Sequence, residues 1–236
     1  MARIVHVALK VENLEDATRF YEDAFGMHQV GTGYARGHTS RHMSDGALDM
    51  ALMVYDNEEV HEAQLSGAGP CIHHWGIEVE DRDAAIKAIE ANGGTIISDP
   101  DEGALKFRAP DGTVAEVTRL GRYKRHVPSE RCRVVRLAIQ VGHLDSAARF
   151  YERVFGFKSA PGSDAGTRRL TDGAFDVVLM KANDPKHHHI GVKVFDHQAF
   201  MDGLTRNGAA LVPDPTGAVL FRAPDGTLGE VVTPMG

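Results

Sequence analysis

The chain opens on a two-residue alternation. Val5, Val7, Leu9 and Val11 are apolar, and His6, Ala8 and Lys10 stand between them. A period of two marks a strand with one buried face. The period then lengthens: Leu14, Ala17, Phe20, Tyr21, Ala24 and Phe25 form an apolar stripe at helical spacing. Asn13 stands in the N-cap place and Gly26 at the stop. Short strands separated by turn signals follow, with Ser-Asp-Gly at 44–46. The same order restarts near residue 72, with a helix from the Asp81 cap through Ile86 and Ile89 to Asn92-Gly93. A fourth helix is predicted from Asp196 through Phe200 and Leu204 to Asn207-Gly208. Each module therefore reads βαβββ, and the predicted class is α+β, with sheets covered by helices on one side.

The chain also repeats itself. IVHVALKVENLEDATRFYEDAFG at 4–26 answers VVRLAIQVGHLDSAARFYERVFG at 134–156. SDGALDMALM (44–53) answers TDGAFDVVLM (171–180), HHWGIEVED (73–81) answers HHIGVKVFD (188–196), and FRAPDGTVAEVT (107–118) answers FRAPDGTLGEVV (221–232). Two copies of one unit are expected, 1–118 and 134–236, joined by a basic linker at 119–133 that reads as solvated. Within each copy a weaker echo, His6-Val-Ala-Leu against His74-Trp-Gly-Ile, divides the unit again. Four modules then start near residues 4, 72, 134 and 187.

Composition narrows the partners. With 26 Lys+Arg against 33 Asp+Glu the net charge is −7, so neither nucleic acid nor an anionic membrane is expected to bind. The two cysteines, Cys71 and Cys132, read as reduced thiols of a cytoplasmic protein. Charge enters the N-terminal stretch too early for a signal peptide, and no apolar run approaches the ~18 residues of a membrane span.

Alternation sorts the chemistry. If Val5, Val7, Leu9 and Val11 pack under the first helix, His6 projects from the opposite face of the sheet. The same argument sends His74 out with Gly76 and Glu78, opposite Trp75, Ile77 and Val79. It sends Glu116 out opposite Ala115 and Val117. Two imidazoles and a carboxylate are thus expected on the helix-free face, a set that suits Fe2+, Mn2+ or Zn2+ and leaves positions open.

Paired βαβββ modules, with His on the opening strand of each and Glu after Pro-Asp-Gly on the closing strand, resemble the vicinal oxygen chelate superfamily. That group includes glyoxalase I, fosfomycin resistance proteins, extradiol dioxygenases, epimerases and bleomycin resistance proteins. The resemblance implies four modules paired into two open, barrel-like sheets with helices outside, and it puts His6, His74 and Glu116 at the metal-ligand positions. It implies an enzyme that chelates a small substrate through adjacent oxygens on a divalent metal, by dioxygenase, isomerase, lyase or fosfomycin-type transferase chemistry. The alternative is a metal-independent pocket that binds a small molecule, as in bleomycin resistance proteins. A homodimer is left open.

The second unit departs from the pattern, since Arg136 stands where His6 would be and a guanidinium does not ligate metals. If the first module pairs with the second, the intact set is His6, His74 and Glu116. If it pairs with the fourth, the set is His6, His189 and Glu230. Arg136 is left to bind an anion or to pair with Glu230. The fourth-ligand position of the glyoxalases would fall on Met50 or Leu52, neither a ligand for a hard metal. The extradiol signature would have Tyr where this chain has Lys106. His42 is a candidate proton shuttle and Tyr55 a candidate hydrogen-bond donor to substrate. His73 and His188 read as structural. In the run His187-His188-His189, alternation lets only His189 face the helix-free side. Arg108 and Arg222 are expected to bridge to the Asp of their turns.

Overall fold

A computed structural model describes residues 2–99, 103–123 and 127–232. Each predicted module is present. The first holds β1 (Arg3–Lys10), α1 (Leu14–Asp23), β2 (His28–Ala35), β3 (His38–Ser44) and β4 (Asp49–Tyr55). The second holds β5 (Cys71–Val79), α2 (Arg82–Ala91), β6 (Thr95–Ile96), β7 (Ala104–Arg108) and β8 (Val114–Arg119). The third holds β9 (Cys132–Val141), α3 (Leu144–Phe155), β10 (Lys158–Ser159), β11 (Thr167–Thr171) and β12 (Asp176–Lys181). The fourth holds β13 (Lys186–Val194), α4 (His197–Arg206), β14 (Ala210–Val212), β15 (Val219–Arg222) and β16 (Leu228–Val232).

The helix caps follow the sequence. Asn13 accepts from the amides of Glu15 and Asp16, Asp81 from Ala84, and Asp196 from Ala199. In α3 the cap is His143, whose side chain makes no capping bond, and the helix stops on Gly156 at φ +71°.

The strands form two eight-stranded sheets, ordered β2-β3-β4-β1-β5-β8-β7-β6 and β10-β11-β12-β9-β13-β16-β15-β14. Neither order closes on itself, so both sheets are open. In the first, β1 lies beside β5, and β5 runs parallel to β8 with Trp75 opposite Ala115 and Gly76 opposite Glu116. His189 and Glu230, on β13 and β16, belong to the other sheet. The alternative grouping of His6 with His189 and Glu230 is therefore not supported: strand pairing joins the first module to the second.

By compactness the described residues fall into two units that do not follow the halves of the chain. One gathers the residues through His6 with His74–Tyr123 and Arg136–His188. Its core is aromatic: Trp75 packs on Tyr151 and Phe157, and Phe107 packs on Phe150 and Phe155. The buried Tyr151 hydroxyl donates to Asp111 at 3.0 Å. The other unit gathers Val7–His73 with the described residues of 124–135 and 189–236. There Phe25 packs on Phe20, Tyr21, Phe200 and Phe221, and the Tyr21 hydroxyl donates to Asp225 at 3.0 Å. Each Pro-Asp-Gly turn thus gives its Asp to a buried tyrosine of another module. Arg108 and Arg222 donate to the glycine carbonyls of their turns, Gly112 and Gly226.

The basic segment 119–133 is not solvated throughout. Arg119 closes β8, Cys132 and Arg133 open β9, and Ser129 is buried with its hydroxyl on the Phe25 carbonyl. Residues 124–126 of this segment lie outside the described residues. Both cysteines are free thiols. Among the described residues, no helix is long and apolar enough to cross a membrane.

Candidate metal centre

Three adjacent strands build the centre, each contributing one side chain to the helix-free face. β1 supplies His6, β5 supplies His74 and β8 supplies Glu116, all buried at 2–3 % exposure. One nitrogen of each imidazole and one carboxylate oxygen all lie within 4.8 Å of one another. His74 Nε2 is 3.4 Å from Glu116 Oε2, and the two imidazole rings are 5.4 Å apart between centroids.

Room for this convergence comes from Gly76. It sits directly opposite Glu116, and a Cβ there would meet His6 Cβ at 2.8 Å and Glu116 Oε1 at 2.9 Å. The Gly76→Ala variant is expected to fold, to lose about 1–3 kcal/mol of stability from overpacking, and to weaken metal uptake, read by chemical denaturation and metal titration.

The electrostatics favour an anionic ligand. Burial pushes Glu116 toward its neutral form. The hydrogen bond from His74 and the charges of His6, His74 and Lys106 outweigh that and hold the carboxyl well below the usual carboxylate range. Lys106 is itself buried, directly opposite Glu116 on the antiparallel β7–β8 pair.

Tyr123 is a member of this centre that sequence periodicity does not find. It lies in the basic segment beyond β8, where no alternation assigns a face. Its ring stacks on His6 with centroids 4.3 Å apart and planes within 3°, and its hydroxyl donates to Glu116 Oε1. The backbone reaches this place through a turn at Gly121, whose φ is +79° and whose amide donates to the buried Glu78 carboxylate at 3.1 Å. Glu78 shares the helix-free face with His74 and Gly76, so that face holds both the centre and the turn that brings Tyr123 to it.

The remaining candidates make contacts of their own. On β4, Ala51, Met53 and Tyr55 pack with Ala8, two residues along β1 from His6, whereas Met50 and Leu52 are fully buried on the opposite face. The fourth-ligand positions expected at Met50 and Leu52 are corrected by this phase. The residues of β4 on the helix-free side are Asp49, Ala51, Met53 and Tyr55. His42 Nδ1 is 2.9 Å from Asp49 Oδ1. The second repeat makes the same cross-link with Arg169 Nε and Asp176 at 3.1 Å, so the pair braces two strands in both repeats. The Tyr55 hydroxyl meets His73 Nε2 at 3.2 Å, and burial with the Glu62 charge pushes its pKa well up. His73 Nε2 also lies 2.8 Å from the Glu62 carbonyl, consistent with its structural reading. In the second sheet His189 Nε2 lies 3.2 Å from Glu230 Oε2, and Arg136 stands opposite Asp176.

A buried His-His-Glu set on adjacent strands of a βαβββ pair narrows the family. The family model of the Glyoxalase/Bleomycin resistance protein/Dioxygenase superfamily matches residues 3–117 and 133–228, most of the chain and both repeats. The chain belongs to this superfamily.

A curated superfamily relative, a probable chloroplastic lactoylglutathione lyase of Arabidopsis thaliana, is 26 % identical over 175 residues, 66 % of this chain and 45 % of that protein. The chain spans about half the length of the curated relatives it matches. Among solved structures, the Mn(II)-bound glyoxalase of Novosphingobium aromaticivorans is similar at a TM-score of 0.72 and 17 % identity, covering 98 % of this chain and 82 % of that one. The 2,3-dioxygenase LapB of Pseudomonas sp. KL28 is similar at 0.69 and 15 % identity, covering 97 % and 91 %. At these identities the structural likeness establishes the fold of the superfamily, four βαβββ modules in two open sheets.

Proposed function

We propose that this superfamily member is a divalent-metal-dependent enzyme whose metal is held by His6, His74 and Glu116 in the first repeat, 1–118. In this reading the second repeat, 134–236, is a degenerate copy with Arg136 in place of the first histidine. The observation that carries the proposal is the convergence of three buried ligand atoms within 4.8 Å. The donor set fits the group: two imidazoles and one carboxylate suit Fe2+, Mn2+ or Zn2+ and leave positions for substrate. A divalent ion bound there supplies Lewis-acid polarisation of two adjacent substrate oxygens. Glu116 brings a negative charge, and the hydrogen bond from His74, with the charges of His6, His74 and Lys106, keeps the carboxylate ionised. Gly76 keeps the space between the ligands clear, and the apolar core under β5 fixes the strand that carries His74.

The three-donor set favours oxygenation of a catechol-like substrate, since two histidines and one carboxylate with open positions is the ligand pattern of non-haem iron oxygenases. Lactoylglutathione-lyase-like isomerisation is the second reading, favoured by the curated relatives, with His42 as proton carrier and Tyr55 as hydrogen-bond donor. Protein loaded anaerobically with Fe(II) is expected to consume oxygen when given catechols. A flat oxygen trace at full iron loading, with thioester formation from glutathione and a 2-oxoaldehyde, would decide for the second reading. Protein that binds a small ligand but takes up no metal would instead point to a bleomycin-resistance-like binding function.

A further inference from the structure

Tyr123 brings an aromatic hydroxyl to the candidate centre, and it comes from the segment that joins the repeats. Its hydroxyl donates to Glu116 Oε1, while Glu116 Oε2 faces His74 Nε2 at 3.4 Å. The two carboxylate oxygens therefore have different jobs: one is held by a phenol, the other faces the His74 imidazole. The ring lies flat on His6 at 4.3 Å, which fixes the tilt of that imidazole about its Cβ–Cγ bond. The turn that delivers Tyr123 is itself tied down, since the Gly121 amide donates to the buried Glu78.

We propose that Tyr123 is a positioning residue of the metal centre: its hydroxyl occupies Glu116 Oε1 so that the carboxylate takes a metal through Oε2 alone, and its ring sets the plane of His6. This rests on the reading of His6, His74 and Glu116 as ligands. It goes beyond that reading by making the segment between the repeats part of the centre. A carboxylate held to one oxygen occupies one coordination position instead of two, so one more is kept for substrate. Partners of this kind around metal ligands are typically worth ~10–100-fold in affinity.

The test uses the full chain and Co(II) alone as the probe, read by titration and by its visible absorption, which reports coordination number. Wild-type protein is expected to bind Co(II) saturably. The Tyr123→Phe variant keeps the ring and loses only the O–H. It is expected to bind Co(II) ~10-fold or more weakly and to show a weaker, shifted visible spectrum as Glu116 turns two oxygens to the ion. Its circular dichroism should match wild type. Tyr123→Ala is expected to lose affinity further by also freeing His6. If Tyr123→Phe matches wild type in affinity and spectrum while His6→Ala loses Co(II), the positioning role is overturned and the metal reading stands. If wild-type protein shows no saturable Co(II) binding, the metal reading falls and this inference falls with it. Should Tyr123→Phe not fold, Glu78→Ala removes the acceptor of the Gly121 amide and is expected to shift the Co(II) spectrum in the same direction. An unchanged spectrum there would also overturn the role.

Discussion

His6→Ala and Glu116→Gln are each expected to bring metal uptake from about one ion per chain to near zero, with catalytic activity lost in step. His6→Ala removes one of three protein donors and Glu116→Gln replaces the anionic donor by a weak neutral amide oxygen, so each affinity loss should exceed the ~100-fold upper range for loss of an outer hydrogen bond. The two variants should differ in stability. His6→Ala leaves a small void beside Tyr123, whereas Glu116→Gln keeps the shape of the side chain but removes the charge facing His6, His74 and Lys106. Removing one partner from a buried charged group costs several kcal/mol, so Glu116→Gln is expected to be the less stable apoprotein. Elemental analysis and thermal unfolding of the two variants check both statements. His189→Ala, in the other sheet, is expected to retain full metal content.

Trp75→Ala should be among the most destabilising single truncations in the chain, by about 3–5 kcal/mol. Trp75 is fully buried and touches Tyr151 and Phe157, so its removal opens a cavity between two modules of one compact unit. Its strand carries His74 and Gly76 on the other face, so a loosened β5 should also weaken metal binding. Chemical denaturation followed by circular dichroism measures the first effect and metal titration of the folded variant the second. Unchanged stability would mean that the unit is held by something other than this aromatic core.

The predicted elements and the chemistry of the centre followed from short-range pattern. Alternation on β1, β5 and β8 put His6, His74 and Glu116 on one face because a strand has only two faces and one had to be apolar. Asn13, Asp81 and Asp196 were readable as caps because capping is local. The residues that sequence reading missed are those placed by long-range packing. Tyr123 follows a positive-φ turn, where no period applies. The phase of β4 was misjudged because its residues are apolar on both faces: Met50, Ala51, Leu52 and Met53 are all apolar and buried, so alternation carried no signal. Asp111 and Asp225 also have partners in other modules, and only packing reveals that Tyr151 and Tyr21 donate to them.

Those two tyrosine bonds bear on the order in which a ribosome could complete the molecule. Tyr151 is only 40 residues from Asp111, so the unit containing the second and third modules can close once its own stretch has emerged. Tyr21 is 204 residues from Asp225, and its neighbour Phe25 waits for Phe200 and Phe221. At ~5–20 residues per second, the earliest module made is among the last to finish, with its apolar helix face left to solvent or chaperones for roughly ten seconds or more.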